Sequence, residues 1–162
     1  MAETFPSLNG VAQSWADIGV TVQVTGGTSQ RTDDIADISY GTNVELGEQR
    51  GVGMEIKKRT RGQRSYGGKI TFYADGMRSM LSALAAVAPV DAGGFKDTSQ
   101  VVFDVLIQHS PPGVADISEV QLLGCRLLTR NANHAEGTDP DKREGTLSIG
   151  RILEKIDGAW VV

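Results

Sequence analysis

One cysteine and two histidines are the residues whose types first suggest covalent chemistry. A thiol beside an imidazole can be activated as a nucleophile, so Cys125 with His109 or His134 is the pair to consider. Cys125, however, lies in an apolar run, where a small buried residue is the usual interpretation. His109 falls at the end of a predicted strand, and His134 falls in a polar loop. We therefore predict that the chain is not an enzyme, and a small hydrolase ranks last among the functions considered.

Motifs for metals, phosphates and cofactors are missing from the sequence. No CxxC or HxxxH spacing is present, which argues against a zinc site. GVGMEIKK (51–58) has a G-x-G but no third glycine, and YGGK (66–69) lacks the Ser or Thr that follows a P-loop lysine. The acids of EGTDPD (136–141) do not have the spacing of a calcium loop. We expect no cofactor and no metal.

The stretch KKRTRGQR (57–64) is the most charged part of the chain. Its cations are Lys57, Lys58, Arg59, Arg61 and Arg64. The whole chain is nevertheless acidic, with a formal net charge of -4 and a pI near 5.1. The stretch could bind nucleic acid with help from nearby aromatic residues, form a solvated hairpin tip, or pair with acids of a neighbouring subunit. Composition leaves these three interpretations open.

Length and composition indicate one globular domain covering residues 1–162. Apolar residues make up 40% of the chain and charged residues 22%, which is ordinary for a globular protein. The 20 glycines are dispersed between short apolar runs, which is typical of a β-rich fold with many turns. No apolar run is long enough for a membrane-spanning helix, and the N-terminus does not resemble a secretory signal.

Alternation of apolar and polar residues predicts most of the elements. Strands are expected at 19–25, 38–46, 68–74, 100–109, 118–130 and 146–156. A bulge is expected at Gly124 in the fifth of these strands. The segments 25–34 and 131–145 are polar and are predicted to be loops.

One short helix interrupts the strands. Asp75 is a candidate N-cap, and apolar residues follow it at helical spacing up to Val87. Pro89 then ends the pattern. The fold class expected is mainly β: a single-domain β-sandwich or barrel with one short α-helix.

Two blocks of the sequence resemble phage tail tube proteins, which are also called major tail proteins. The first block, residues 38–89, runs from ISYGTNVEL through RTRG and GKITFYA to the apolar helix MLSALAA. The second block, LLGCRLLTRNANHAEGTDPDKREGTLSIGRI (122–152), has a strand containing GCR, a polar turn and a final strand. Together the two blocks cover about half of the chain.

The resemblance implies a structural subunit of the virion. Tail tube proteins form six-fold rings that stack into a hollow tube, in which one sheet of each β-sandwich contributes to a continuous inner barrel. The tape-measure protein and then DNA occupy the lumen, and tail-tip and tail-terminator proteins close the ends. Assembly would take place in the cytoplasm of the bacterial host, without a membrane. An inter-strand arm, here about residues 47–67, reaches the adjacent ring.

This resemblance assigns roles to two sets of residues. The basic residues of the arm, Lys57, Lys58, Arg59, Arg61 and Arg64, would contact a neighbouring subunit. The polar faces of four strands assigned to the inner sheet would line the lumen with Asn43, Glu45, Lys69, Thr71, Asp104, Gln108, Glu119 and Gln121. Because DNA must slide without sticking, a lumen should be neutral or acidic. Lys69 would be out of place unless Glu45 or Asp104 pairs with it.

The alternative function is a nucleic-acid-binding β-barrel that uses the basic arm at 57–64. A dedicated binder of this kind is usually basic, whereas this chain is acidic.

Overall fold

The fold is taken from a computed structural model. It describes residues 7–8, 11–12, 18–50, 52–53, 56–60, 62–109, 118–134, 136–156 and 158–162.

These residues form thirteen strands and one α-helix. The strands are β1 (Ser7–Leu8), β2 (Val11–Ala12), β3 (Ile18–Val24), β4 (Ser29–Thr32), β5 (Ile35–Glu45), β6 (Glu48–Arg50), β7 (Ile56–Arg59), β8 (Gln63–Tyr73), β9 (Phe103–His109), β10 (Ser118–Ala132), β11 (Lys142–Ser148), β12 (Arg151–Ile156) and β13 (Ala159–Val161). The helix α1 is Ala74–Val87, and a single 3₁₀ turn covers Thr98–Gln100.

Strand β10 belongs to two parts of one sheet. Its first part, up to Cys125, pairs with β9 and β12, and the strands β4, β3 and β13 extend this six-stranded half. From Arg126 onward it pairs with β11, and the order continues through β8 to β5. We call this second part the four-stranded half. All of these pairings are antiparallel.

Gly124 marks the point where β10 passes from one half to the other. Its φ of 66° lies in the left-handed region, and the register against β9 shifts between Leu122 and Cys125. The Asp104 carboxylate accepts a hydrogen bond of 2.8 Å from the Gly124 N–H, which the interrupted ladder leaves unpaired. The bulge predicted at Gly124 is therefore confirmed.

One hydrophobic core lies between the two halves and the helix. Its largest fully buried side chains are Phe72, Phe103, Ile70, Met77, Leu84, Leu122, Leu147, Val105 and Cys125. They come from strands of both halves and from α1, so the apolar faces of both halves point toward a common interior. Burial of each large apolar side chain contributes about 1.5–3 kcal/mol.

Helix α1 begins without a side-chain cap. Its N-cap residue is Tyr73, whereas Asp75, the predicted cap, lies inside the first turn. The backbone carbonyl of Asp141 accepts a hydrogen bond from the Ala74 N–H at 3.1 Å, so the residue before β11 satisfies a donor that a cap would otherwise serve. The carboxylate of Asp75 still interacts favourably with the positive end of the helix dipole.

The predicted loops are shorter than expected. The segment 25–34 contains β4, because Gly26 turns the chain back with a φ of 80°. The segment 131–145 is partly strand, since β10 continues to Ala132 and β11 begins at Lys142. No helix among the described residues is long and apolar enough to cross a membrane.

Replacement of Gly124 by alanine should lower the free energy of unfolding by about 1–2 kcal/mol, the cost of left-handed backbone for a residue with a Cβ. The added Cβ would meet its nearest atom, the Cα of Gly150, at 3.7 Å, so the loss reflects backbone conformation rather than a clash. Urea denaturation of the two proteins measures this difference in the free energy of unfolding. Gly137→Ala is the control, because nothing lies within 4 Å of a Cβ there and its φ is not positive. Equal stability of the two variants would contradict the role assigned to Gly124.

Candidate assembly surface

The outer face of the four-stranded half is polar throughout most of its length. The paired registers place alternate residues of β5, β8, β11 and β10 on the face opposite the buried Ile70 and Phe72. They are Asp37, Ser39, Gly41, Asn43, Glu45, Gln63, Ser65, Gly67, Lys69, Thr71, Tyr73, Lys142, Glu144, Thr146, Ser148, Arg126, Thr129 and Asn131. Tyr73, at the edge near the helix, is the one aromatic residue among them. We call this set the polar face.

Charges on the polar face balance. It carries three acids, Asp37, Glu45 and Glu144, and three bases, Arg126, Lys142 and Lys69. The Lys69 ammonium lies 2.7 Å from a carboxylate oxygen of Glu144 on the adjacent strand. Both side chains are about half exposed, so this pair contributes only ~0–1 kcal/mol to stability. Its larger effect is local neutralisation of the ammonium charge.

The partner of Lys69 differs from the expectation. Glu45 and Asp104 were the predicted partners, but neither makes the contact. The register of β11 against β8 places Thr146 opposite Lys69 and Glu144 opposite Thr71, which brings Glu144 within diagonal reach of the ammonium. Glu144 was missed because 131–145 was interpreted as a loop. The alternation of outward and inward residues in KREGTLS (142–148) indicates a strand. The pattern is weak because a glycine occupies one of the inward positions.

The eight residues predicted to line a lumen divide between the two halves. Asn43, Glu45, Lys69 and Thr71 lie together on the polar face. Thr71 is nevertheless buried, with 8% of its surface exposed, between the cross-strand neighbours Asp37 and Glu144.

The other four predicted lining residues lie on the six-stranded half. Asp104 and Gln108 lie on β9, and Glu119 and Gln121 lie on the first part of β10, on the side opposite the buried Phe103 and Leu122. The four strands assigned to the inner sheet are not all side by side, because β10 and β11 separate β9 from β8. Since both halves turn their apolar faces to one core, their polar faces point away from each other.

The predicted arm contains regular structure. Strands β6 and β7 form an antiparallel hairpin, and β8 begins at Gln63 within the same segment. Glu48 lies 3.8 Å from Arg59 and 3.7 Å from Arg50, so one carboxylate of the arm serves two of its cations. The arm therefore balances part of its own charge.

The five basic residues of the arm occupy different positions. Lys58 and Arg59 are exposed on β7, and Arg64 lies on β8, where its Nη1 contacts the carbonyl oxygen of Val162 at 3.5 Å. Lys57 lies on β7 with its side chain outside the described part, and Arg61 lies outside the described residues altogether.

Two strand edges of the four-stranded half are free within the described part of the chain. β5 pairs only with β8, and the second part of β10, Arg126–Ala132, pairs only with β11. Free edges present unpaired N–H and C=O groups, which are templates for another strand. The four-stranded half therefore has an open edge on each side.

The structure does not bring together the residues considered for catalysis. Cys125 is fully buried and contacts the carbonyl oxygen of Leu122 at 3.4 Å. Its β9 neighbour is Phe103, whereas His109 lies at the far end of β9, about 20 Å along the strand. His134 instead contacts Asp141 at 3.1 Å beyond the end of β10. Among the described residues there is also no group of three or more His, Cys, Asp or Glu placed to hold a metal.

Several solved structures share the fold of this chain. It is similar to a chain of the PVC sheath–tube complex, an extracellular contractile injection system, with a TM-score of 0.59, 15% identity and coverage of 83% of this chain and 86% of that one. The tube-terminating cap of the anti-feeding prophage has a TM-score of 0.61, with 12% identity and coverage of 94% and 92%. The SPP1 tail tube has a TM-score of 0.59, with 12% identity and coverage of 90% and 81%.

No protein-family model and no curated protein matches the sequence. The structural likeness alone establishes that this is the tail tube fold, a mainly β sandwich with one helix. The resemblance identified in the sequence and the fold class expected from it are both confirmed.

The thiol of Cys125 should be unreactive in the folded protein. Burial, with the charge of Asp104 second, raises its pKa to about 12, so about one thiol in 10,000 is ionised at pH 8. A maleimide or disulfide reagent at pH 8 should therefore label the protein only after unfolding in urea. Labelling of the native protein at the rate of a free cysteine would contradict this placement.

Proposed function

We propose that the chain is the subunit of a phage tail tube, forming hexameric rings that stack around a lumen. The tube would belong to a virion assembled in the host cytoplasm. Its lumen would hold the tape-measure protein and then DNA, and tail-tip and terminator proteins would cover its ends. The observation that carries the proposal is a four-stranded half with a polar face of zero formal net charge and one free edge on each side.

Strand direction supports closure into a ring. The order β10, β11, β8, β5 has four strands in alternating directions, so β5 and β10 run opposite ways. Rotation about a cyclic axis preserves the direction of each strand along that axis. The β5 edge of one copy would thus meet the β10 edge of the next copy in antiparallel orientation, and the alternation would continue around the ring.

The polar face suits the wall of a channel for DNA. Each phosphate neutralised by a lysine or arginine adds affinity and therefore resistance to sliding. Asn43, Glu45, Lys69 and Thr71 would line this channel, with Glu144 neutralising the Lys69 ammonium. Asp104, Gln108, Glu119 and Gln121 would lie away from the lumen, because their half of the sheet faces the opposite side of the core.

The basic arm would contact the adjacent ring. Its predicted contact residues are Lys57, Lys58, Arg59, Arg61 and Arg64. Lys58 is exposed and Arg59 shares Glu48 with Arg50, so the arm retains positive charge for a neighbour. Each exposed ion pair would contribute only ~0–1 kcal/mol, but repetition around every ring makes the contacts cumulative.

Known assemblies with this fold are consistent with such partners. The similar structures include a sheath–tube complex and a tube-terminating cap. These support proposed contacts of this chain with other copies of itself and with proteins at the ends of a tube.

Electron microscopy of the purified protein tests the proposal directly. At high protein concentration we expect hollow tubes or rings with six-fold symmetry, because each free edge is a template for the edge of another copy. Analytical ultracentrifugation over the same concentrations should show a step from monomer to large assemblies. A monomer at all concentrations, or a two-fold dimer as the only assembly, would contradict the proposal.

Charge reversal in the arm tests the contact between rings. The triple variant Lys58→Glu, Arg59→Glu and Arg61→Glu should prevent stacking into tubes while leaving the circular dichroism spectrum unchanged, because Lys58 and Arg59 are exposed on β7 and lie outside the core. The control reverses three other cations, Arg31, Arg78 and Arg151, giving the same net charge. Tubes from the arm variant at the wild-type concentration would refute the proposed arm contact.

The same proteins distinguish the alternative, a nucleic-acid-binding barrel that uses residues 57–64. Tight DNA binding by the wild type that weakens steeply with salt, and that the arm variant loses, would favour that function instead.

A further inference from the structure

A groove lies where helix α1 meets the end of β10. Its volume is about 190 Å³. It is lined by Met77, Leu81, Arg130, Asn131, Ala132 and Arg143. Arg130, Asn131 and Ala132 belong to the free edge of β10, so the groove opens beside that edge.

The groove combines an apolar floor with two guanidinium groups. Met77 is buried, and Leu81 is partly buried against the core. Arg143 lies 3.7 Å from the Asp141 carboxylate through Nη2, while its Nε is shielded from solvent and has no hydrogen-bond partner among the described residues. Apolar surface beside guanidinium planes favours aliphatic and aromatic side chains, since an arginine can stack on an aromatic ring.

A matching apolar side is exposed at the other edge of the same half. Tyr40 and Val44 lie on the side of β5 that holds Ile38 against the core. β5 extends past the core, so Tyr40 remains 39% exposed and Val44 46% exposed. A strand that is polar on one side and keeps apolar residues uncovered on the other is typical of a strand that meets a partner.

The register places these two surfaces on the same side when the edges pair. Arg130 lies opposite Gly145, which lies opposite the buried Ile70, so Arg130 is on the core side of the sheet. Tyr40 and Val44 are on the core side of β5. Pairing of β5 with the β10 edge of a second copy keeps each side continuous, so Tyr40 and Val44 of one copy would lie on the same side of the joined sheet as the groove of the next.

We propose that the groove is the docking site for the Tyr40–Val44 side of β5 from a second copy of this chain. The proposal rests on the proposed ring, and it assigns the side-chain contacts that would fix the register of the two strands. Backbone pairing alone specifies register weakly, whereas an apolar side chain seated in a groove specifies it strongly.

Chemical cross-linking tests the contact. The double variant Val44→Cys with Leu81→Cys, treated with a short bis-maleimide, should give covalent oligomers up to a closed ring on a denaturing gel. The native Cys125 is fully buried and so contributes no background. The control pairs Val44→Cys with Val90→Cys, which is well exposed beyond the end of α1. If Leu81→Cys does not fold, the exposed Ala132→Cys at the groove replaces it.

The outcomes separate the docking site from the proposed function. Oligomers from the groove pair but not from the control support the docking site. Tubes without groove cross-links, or with equal cross-linking in the control, overturn the docking site and leave the tube intact. Absence of any assembly from the wild type overturns both.

A single charge reversal gives an independent measurement. Arg130→Glu should raise the concentration needed for assembly about tenfold or more, the effect of losing about 1.4 kcal/mol per contact. Arg151→Glu, an exposed cation on the six-stranded half, is the matched control and should leave that concentration unchanged. Equal behaviour of the two variants would overturn the role given to the groove.

Discussion

The structure depends on one strand that belongs to both halves of the sheet. β10 runs for fifteen residues and exchanges its neighbours on passing Gly124, where Asp104 satisfies the exposed N–H. Beyond that bend β10 no longer pairs with β9, and along its other edge the pairing passes from β12 to β11. With this bend, the two halves fold over one core, and each half keeps an outer face that it does not share with the other.

Because the outer faces of the two halves are separate, they can differ in amino-acid composition. The polar face of the four-stranded half carries serine, threonine, glycine and balanced charges. The other half places Leu106, Leu123 and Leu153 among its outward positions, all partly buried. In the proposed ring, the sheet would associate along its edges and not adhere across its polar face, and this uneven surface suits that arrangement.

Sequence reasoning predicted the elements with strong local signals and missed those that depend on tertiary context. The valine alternation of β3 and the apolar spacing in α1 were sufficient to place those elements near their observed bounds. Asp75 failed as a cap because the Asp141 carbonyl, distant in sequence, satisfies the first N–H of the helix. The first part of β11 was predicted as loop because Gly145 occupies an inward position, where a Cβ would lie 2.6 Å from Leu127.

Of the eight residues predicted to line one face, only four lie on the polar face, for a related reason. Alternation identifies which residues of a strand face away from the core, but it does not identify which strands are neighbours. Asn43, Glu45, Lys69 and Thr71 were grouped correctly because β5 and β8 pair directly. Asp104 and Glu119 were predicted to lie on the same face because apolar and polar residues alternate equally well in their strands. Their strands are separated from β8 only by the change of partners along β10.

Lys69 shows how a cation would fit in the lining of the proposed channel, which should not retain a polyanion. Its ammonium is held 2.7 Å from Glu144, so a phosphate would have to displace a carboxylate that is already in contact. In a ring the pair would repeat with every copy, and each repeat would add a dipole rather than a net positive charge. The field of a dipole falls off faster with distance than that of a charge, and screening at physiological salt shortens its reach further. A channel can therefore include lysines without binding DNA strongly, provided that each has a carboxylate on the next strand.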